Sequence, residues 1–146
     1  YNTFPSLSNF DSTTQDLRGH LAWRGVRTYA SAAIGYQNDH ALDRRPGGDR
    51  DGSFVNLLVR RELRAGVNAE LGYVRQTWHS SQAYSPGLID EVRNQATQVL
   101  RGVLSWAVAP RQTLLLEGRI VRNSENISIF KYNNRQLQLS WQWQLP

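Results

Sequence analysis

Arg18, Arg24, Arg60, Arg101 and Arg119 stand at the polar positions of stretches that alternate apolar and polar residues, and Glu62, Glu70 and Glu117 hold the same phase. In the closing stretch Gln138 and Gln142 occupy equivalent positions without charge. Side chains in that phase project from one face of an extended strand. Two kinds of chemistry follow. Charged groups lining an aqueous path set its selectivity, and an excess of arginine favours anions. Alternatively, opposite charges on neighbouring strands pair and brace the sheet. Spacing alone leaves both open.

Covalent chemistry has weaker support. His20 shares the polar phase and has the type of a general base, but spacing places no nucleophile and orienting acid beside it. No catalytic residue is assigned, and the chain is not expected to be an enzyme. His40 and His79 fall in polar connecting stretches, where exposure is the ordinary condition. The absence of cysteine excludes disulfides, thiolate metal sites and thiol nucleophiles. Pro46-Gly47-Gly48 lacks the Lys-Ser/Thr that completes a phosphate loop and reads as a turn. Neither a metal site nor a cofactor is expected.

The elements that must position these groups are strands. Residues 135–145 alternate without a break, with Leu137, Leu139, Trp141, Trp143 and Leu145 on one face and Gln136, Gln138, Ser140, Gln142 and Gln144 on the other. That pattern belongs to a strand lying between two different solvents. Residues 17–24, 30–37, 55–63, 67–74, 99–106 and 114–121 repeat it, giving about seven strands. Short links at 25–28, 64–66 and 109–112 alternate with longer polar ones at 38–52, 79–94 and 123–133, and residues 1–15 read as another long connection. Outer-membrane barrels alternate short periplasmic turns with long external loops in this way.

Aromatic placement follows the same division. Trp23, Trp106, Trp141 and Trp143 fall near the short-link ends, and Tyr36, Tyr73, Phe54, Trp78, Phe130 and Tyr132 near the long-loop ends. Amphipathic rings collect at lipid headgroups, so Trp23, Tyr36, Tyr73, Trp106, Trp141 and Trp143 are the expected membrane-interface aromatics. The ten alternating-phase residues, Arg18, Arg24, Arg60, Glu62, Glu70, Arg101, Glu117, Arg119, Gln138 and Gln142, are the expected pore lining. The fold expectation is all-β, an antiparallel up-and-down transmembrane β-barrel in a bacterial outer membrane, forming a single domain over residues 1–146. A soluble β-sandwich is the competing expectation. Because such barrels ordinarily have an even number of strands, seven suggests the C-terminal part of a larger barrel.

Composition is compatible with this. A hydrophobic content of 40% and a mean hydropathy of -0.55 resemble a water-soluble domain, yet alternation gives a membrane barrel near-average hydropathy. The net charge of +5 is carried by arginine apart from Lys131. No basic run or recognition helix points to nucleic acid, which is not an expected partner. With Tyr1 first, and neither an initiator Met nor a leader, the sequence reads as a processed protein or a piece of a longer one.

Residues 122–135, Arg-Asn-Ser-Glu-Asn-Ile-Ser-Ile-Phe-Lys-Tyr-Asn-Asn-Arg, with the Trp-Gln-Trp strand that follows, carry a resemblance. The segment resembles the last hairpin of exopolysaccharide-export outer-membrane proteins of the tetratricopeptide-repeat-linked type, and of surface lipoprotein assembly modifiers. The likeness covers about the last forty residues, with Pro146 where those families usually close on Phe or Trp. It implies an outer-membrane translocation pore exporting a secreted polymer, most simply an exopolysaccharide. Alternatives are surface-lipoprotein translocation, a general porin, or a non-conducting barrel anchoring an envelope complex. The implied partners are outer-membrane lipid, an anionic polymer or lipoprotein cargo, and periplasmic or envelope subunits.

Overall fold

A computed structural model describes residues 11–42 and 45–144. The strands are β1 (Ser12–Arg24), β2 (Thr28–Ala41), β3 (Arg50–Arg64), β4 (Val67–Ser85), β5 (Ile89–Ala109), β6 (Gln112–Glu125) and β7 (Tyr132–Trp143), with a short 3-10 turn at Ser128–Phe130. They form one seven-stranded sheet in the order β1-β2-β3-β4-β5-β6-β7, every neighbouring pair antiparallel. The chain is thus all-β with up-and-down topology. The sheet is open, with β1 and β7 as its two edges. Leu145 and Pro146, the end of the expected closing strand, and most of the expected 1–15 connection lie outside the described residues.

Alternation forms these strands, and tight turns set their register. The β3–β4 and β5–β6 turns each place a residue at positive φ, Gly66 at 76° and Arg111 at 65°, next to a register shift in the preceding strand. A left-handed residue beside a bulge is a common hairpin closure. At the other end the links are shorter than the alternation suggested. The expected 79–94 connection is instead the tip of a long hairpin, β4 running to Ser85 and β5 starting at Ile89. Trp78 to Ala83 and Val92 to Asn94 lack an apolar alternation, but backbone pairing does not need one. Likewise β2 extends to Ala41, β3 begins at Arg50, and β6 reaches Glu125, trimming the other two expected loops.

What this sheet lacks is an apolar core. Among the described residues only Val67 and Ile127 are buried hydrophobics, at 8% and 7% exposure, while the buried polar groups are Ser12, Asp39, Ser80, Asn123 and Glu125. Conversely, Leu17 is 79% exposed, Leu137 78%, and Leu21, Leu139, Trp141 and Trp143 also stand open. No helix among the described residues is long and apolar enough to cross a membrane.

Candidate functional site

Pairing assigns every side chain to one of two faces. Trp23 shares a ladder row with Ala30, Val59, Leu71, Gly102, Gly118 and Leu137, all on the face that also holds Leu21, Ile34, Leu57, Leu104, Leu116 and Leu139. On the opposite face, the row through Arg24 runs Tyr29, Arg60, Glu70, Val103, Glu117 and Gln138. The ten residues expected to line a lumen therefore share one face, and the six expected interface aromatics share the other. Phe54, Trp78 and Tyr132 do not join them: they stand on the charged face, because Phe54 pairs Gly35, Trp78 pairs Gly52 and Tyr132 pairs Asn123. The Phe54 and Trp78 rings lie over those glycines, where an added Cβ would overlap them.

The apolar face is not a random greasy patch. Its belt slides down the ladder by one residue per strand. From the Trp23 row, Trp106 lies four residues along β5, four strands away from β1, and Trp143 lies six residues along β7, six strands away. With a rise of about 3.3 Å and a strand spacing of about 4.8 Å, that slope tilts the strands by about 35° from the belt normal. A slope of this size falls at the lower end of the strand tilts found in closed barrels. Once the tilt is applied, Trp23, Trp106 and Trp143 share one level, with Trp141 one step further into the belt. The upper rim runs through Leu17, Tyr36, Val55, Leu100, Ile120 and Leu137, and Tyr73 sits one step deeper than Tyr36. From tryptophan level to upper rim the belt measures about 16 to 19 Å.

On the charged face, Arg60, Glu70, Arg101 and Glu117 are brought together into one chain of ion pairs across β3, β4, β5 and β6. Arg60 donates from Nε and Nη2 to Glu70 Oε2 at 2.9 and 2.6 Å. Arg101 donates through Nη1 to Glu70 Oε1 at 2.8 Å and, as a fork, to both oxygens of Glu117 at 2.9 and 2.7 Å. The other expected residues stand apart. Arg18 pairs with Asp16 at 3.2 Å and stacks over Phe54, 4.9 Å from the ring centroid; Arg24 lies over Tyr29 at 5.9 Å. Arg119 makes no ion pair among the described residues and acts on Glu117 through space. Gln138 donates to Ser140, and His20 faces Ala33 without an acid or hydroxyl partner among the described residues.

A second cluster at the far end of this face was not foreseen. The Asp39 carboxylate, 1% exposed, accepts from Arg45 Nη1 at 2.8 Å, Arg50 Nε at 2.7 Å and Thr14 Oγ1 at 3.0 Å. Burial alone pushes this carboxyl up, but the hydrogen bonds from Ser12, Arg50, Arg45 and Thr14 outweigh it and hold its pKa down at about 2. Nearby, Asp49 accepts from His40, which with the Ala41 amide keeps that carboxyl below the usual range. Arg93 pairs with buried Glu125 and lies over Phe130 at 4.4 Å, while Arg50 lies over Trp78 at 4.7 Å. The partners come from chain positions as far as thirty-two residues apart, so no local spacing could have revealed them.

The apolar face also carries arginines that alternation alone could have located. Counting in twos from Tyr73, Ile120 and Leu137 reaches Arg75, Arg122 and Arg135. Arg75, Gln98, Arg122 and Asn133 continue the row of Val55, which climbs from the upper rim at Arg75 to above it at Asn133, and Arg135 stands opposite Ile120. All three arginines are exposed, and none forms an ion pair among the described residues. Among the described residues, no group of His, Asp or Glu is gathered to hold a metal ion. Comparison with known protein families, curated proteins and solved structures finds no match to this chain.

Proposed function

We propose that this chain forms part of the wall of a bacterial outer-membrane β-barrel and serves as a translocation pore for a secreted polymer, with exopolysaccharide as the cargo. The observation that carries the membrane reading is the exposed apolar belt, tilted by about 35° across seven strands with its tryptophans on one level. A sandwich facing water would bury those leucines against a second sheet. The longer links and the protruding β4–β5 hairpin then face the exterior, and the turns at Gly66 and Arg111 face the periplasm. The open edges at β1 and β7 are closed by further strands, since lipid does not tolerate an unpaired edge. The cargo rests on the resemblance of residues 122–135 to export-barrel hairpins.

A second reading, a non-conducting barrel that anchors an envelope complex, is favoured by the ion-pair chain. Arg60 and Arg101 are offset by Glu70 and Glu117, which spends their charge on bracing the wall rather than on selecting anions. Reconstitution of the full chain in planar bilayers separates the two. Channels that an acidic polysaccharide blocks from one side support export, whereas a folded, inserted and silent protein favours the anchor. Labelling of single introduced cysteines on intact cells tests orientation: Leu88→Cys at the hairpin tip should react and Ala65→Cys should not. The reverse pattern overturns the assignment of sides.

A further inference from the structure

Gly102 and Gly118 face each other across β5 and β6 on the apolar face, and nothing lies within 4 Å of where a Cβ on either would stand. The missing side chains leave a trough of about 710 Å³ walled by Leu71, Leu100, Leu104, Leu116, Ile120 and Leu137. Arg135 lines its upper end, with Arg122 one step above Ile120 and Arg75 on the same row as Arg122. An apolar slot under an arc of guanidinium groups that form no ion pair among the described residues has the shape of a lipid seat, because each half meets the matching half of one amphiphile.

Resting on the membrane reading above, we propose that this site binds a phosphorylated, multiply acylated glycolipid of the outer leaflet, one acyl chain lying along Gly102 and Gly118. Arginine forks match phosphate oxygens and bind them with charge-assisted hydrogen bonds. Arg75 and Arg122 lie two strand spacings apart, about 10 Å, a separation from which two guanidinium groups can close on one phosphate, as Arg60 and Arg101 close on Glu70, or hold two phosphates carried on one sugar unit. Gln98 and Asn133, on the same row, offer amides to sugar hydroxyls. The interior arginines do not compete for such a ligand: they lie on the opposite face, and Arg60 and Arg101 already hold carboxylates.

The test is native mass spectrometry of the full chain released from phosphatidylcholine vesicles doped with diphosphoryl lipid A, dephosphorylated lipid A or phosphatidylglycerol. Protease protection of the vesicle-bound chain is measured first. A chain that does not insert takes down the membrane reading and this site with it. With insertion established, the expected result is a retained adduct of diphosphoryl lipid A that is weakened roughly tenfold or more by Arg122→Gln with Arg135→Gln, through loss of charge-assisted hydrogen bonds. Gly118→Leu, which fills the open trough, should also displace it, while Arg61→Gln, an arginine of the same face at tryptophan level, should not. Equal retention of the dephosphorylated lipid, preference for phosphatidylglycerol, or indifference to both the arginine pair and Gly118→Leu overturns the site and leaves the barrel standing.

Discussion

The two faces of the sheet use arginine in opposite ways. On the charged face Arg60 and Arg101 are locked to Glu70 and Glu117, and Arg45, Arg50 and Arg93 to the buried carboxylates of Asp39 and Glu125. On the apolar face Arg75, Arg122 and Arg135 have no acidic partner among the described residues, and they stand at the rim of the exposed apolar belt. A charge among the acidic side chains of its own face is neutralised from within the fold; in the proposed membrane setting, the arginines of the apolar face would be left for headgroups, which a long side chain reaches by snorkelling. The difference explains why arginine abundance alone does not report a selective pore. Much of the positive charge on the polar side is cancelled, and part of what remains stands on the apolar face.

The strongest way to break this comparison is to put a charge where hydrocarbon belongs. Leu104→Arg or Leu139→Arg, both inside the belt, should destabilise the inserted protein by about 2 to 4 kcal/mol. Gln138→Arg, one residue from Leu139 on the opposite face, should cost little. Urea unfolding from vesicles, followed by tryptophan fluorescence, measures the three. Equal losses on both faces would mean that both are buried in protein, as in a sandwich, and the solvent difference would disappear.

The interior pairing is tested at Asp39. Asp39→Asn leaves Arg45 buried without its carboxylate, and breaking a buried pair of this kind costs on the order of 3 kcal/mol. The effect should be confined to the outer end, read as faster amide exchange around residues 45–50 than in β6. The pH dependence has a definite sign. Because folding lowers this carboxyl from 3.8 to about 2, its stabilisation is complete above the ordinary value and is lost as pH falls through about 2. Protection of the same segment that instead weakens between pH 7 and 5 would assign its order to another group.

Which parts of this were legible beforehand follows from the range of the interactions. Period-two alternation fixes face, so Arg60, Glu70, Arg101 and Glu117 fall on one face and the six aromatics expected at an interface on the other from local pattern alone. It could equally have placed Arg75, Arg122 and Arg135, which were passed over because they sit where the apolar run stops. Strand ends were less legible. Trp78 to Ser85 and Ile89 to Asn94 look like loop by composition, yet they pair through their backbones, whose hydrogen bonding is blind to side-chain polarity. The Asp39 and Glu125 clusters were invisible for a different reason: both join residues that only the ladder register brings side by side. Belt tilt was likewise hidden, since it needs the register of every strand pair at once.

A milder probe sharpens the idea that the interior arginines are braces. Glu70→Gln removes the carboxylate shared by Arg60 and Arg101, both substantially exposed, so solvent screening limits the loss to about 1 kcal/mol. Arg119→Gln removes an arginine without an ion-pair partner among the described residues, and it should leave stability unchanged. In conductance the order should reverse. Arg119→Gln lowers any anion preference, whereas Glu70→Gln raises it by freeing the Arg60 guanidinium, with Arg101 still held by Glu117. If both substitutions change selectivity alike and neither alters stability, the ion-pair chain is not a brace.

The smallest expected effect concerns neither face but the turn that aligns them. Arg111 adopts a φ of 65° beside the register shift between Ala107 and Ala109, a left-handed conformation that costs a residue with a Cβ about 1 kcal/mol relative to glycine. The equivalent position of the β3–β4 turn is already Gly66, at 76°. Arg111→Gly should therefore relieve local strain, offset in part by the greater freedom of glycine in the unfolded chain, for a net gain of a few tenths to about 1 kcal/mol. Gly66→Arg makes the converse change and should lose a similar amount. Because both turns set the register of their strands, a shift in either direction should move the unfolding midpoint without changing which residues stand on the apolar face. Midpoints in urea for the two variants, together with lipid-quenching of Trp106 and Trp141, check this. A changed quenching depth would show that the turn residue selects the register itself rather than merely stabilising it.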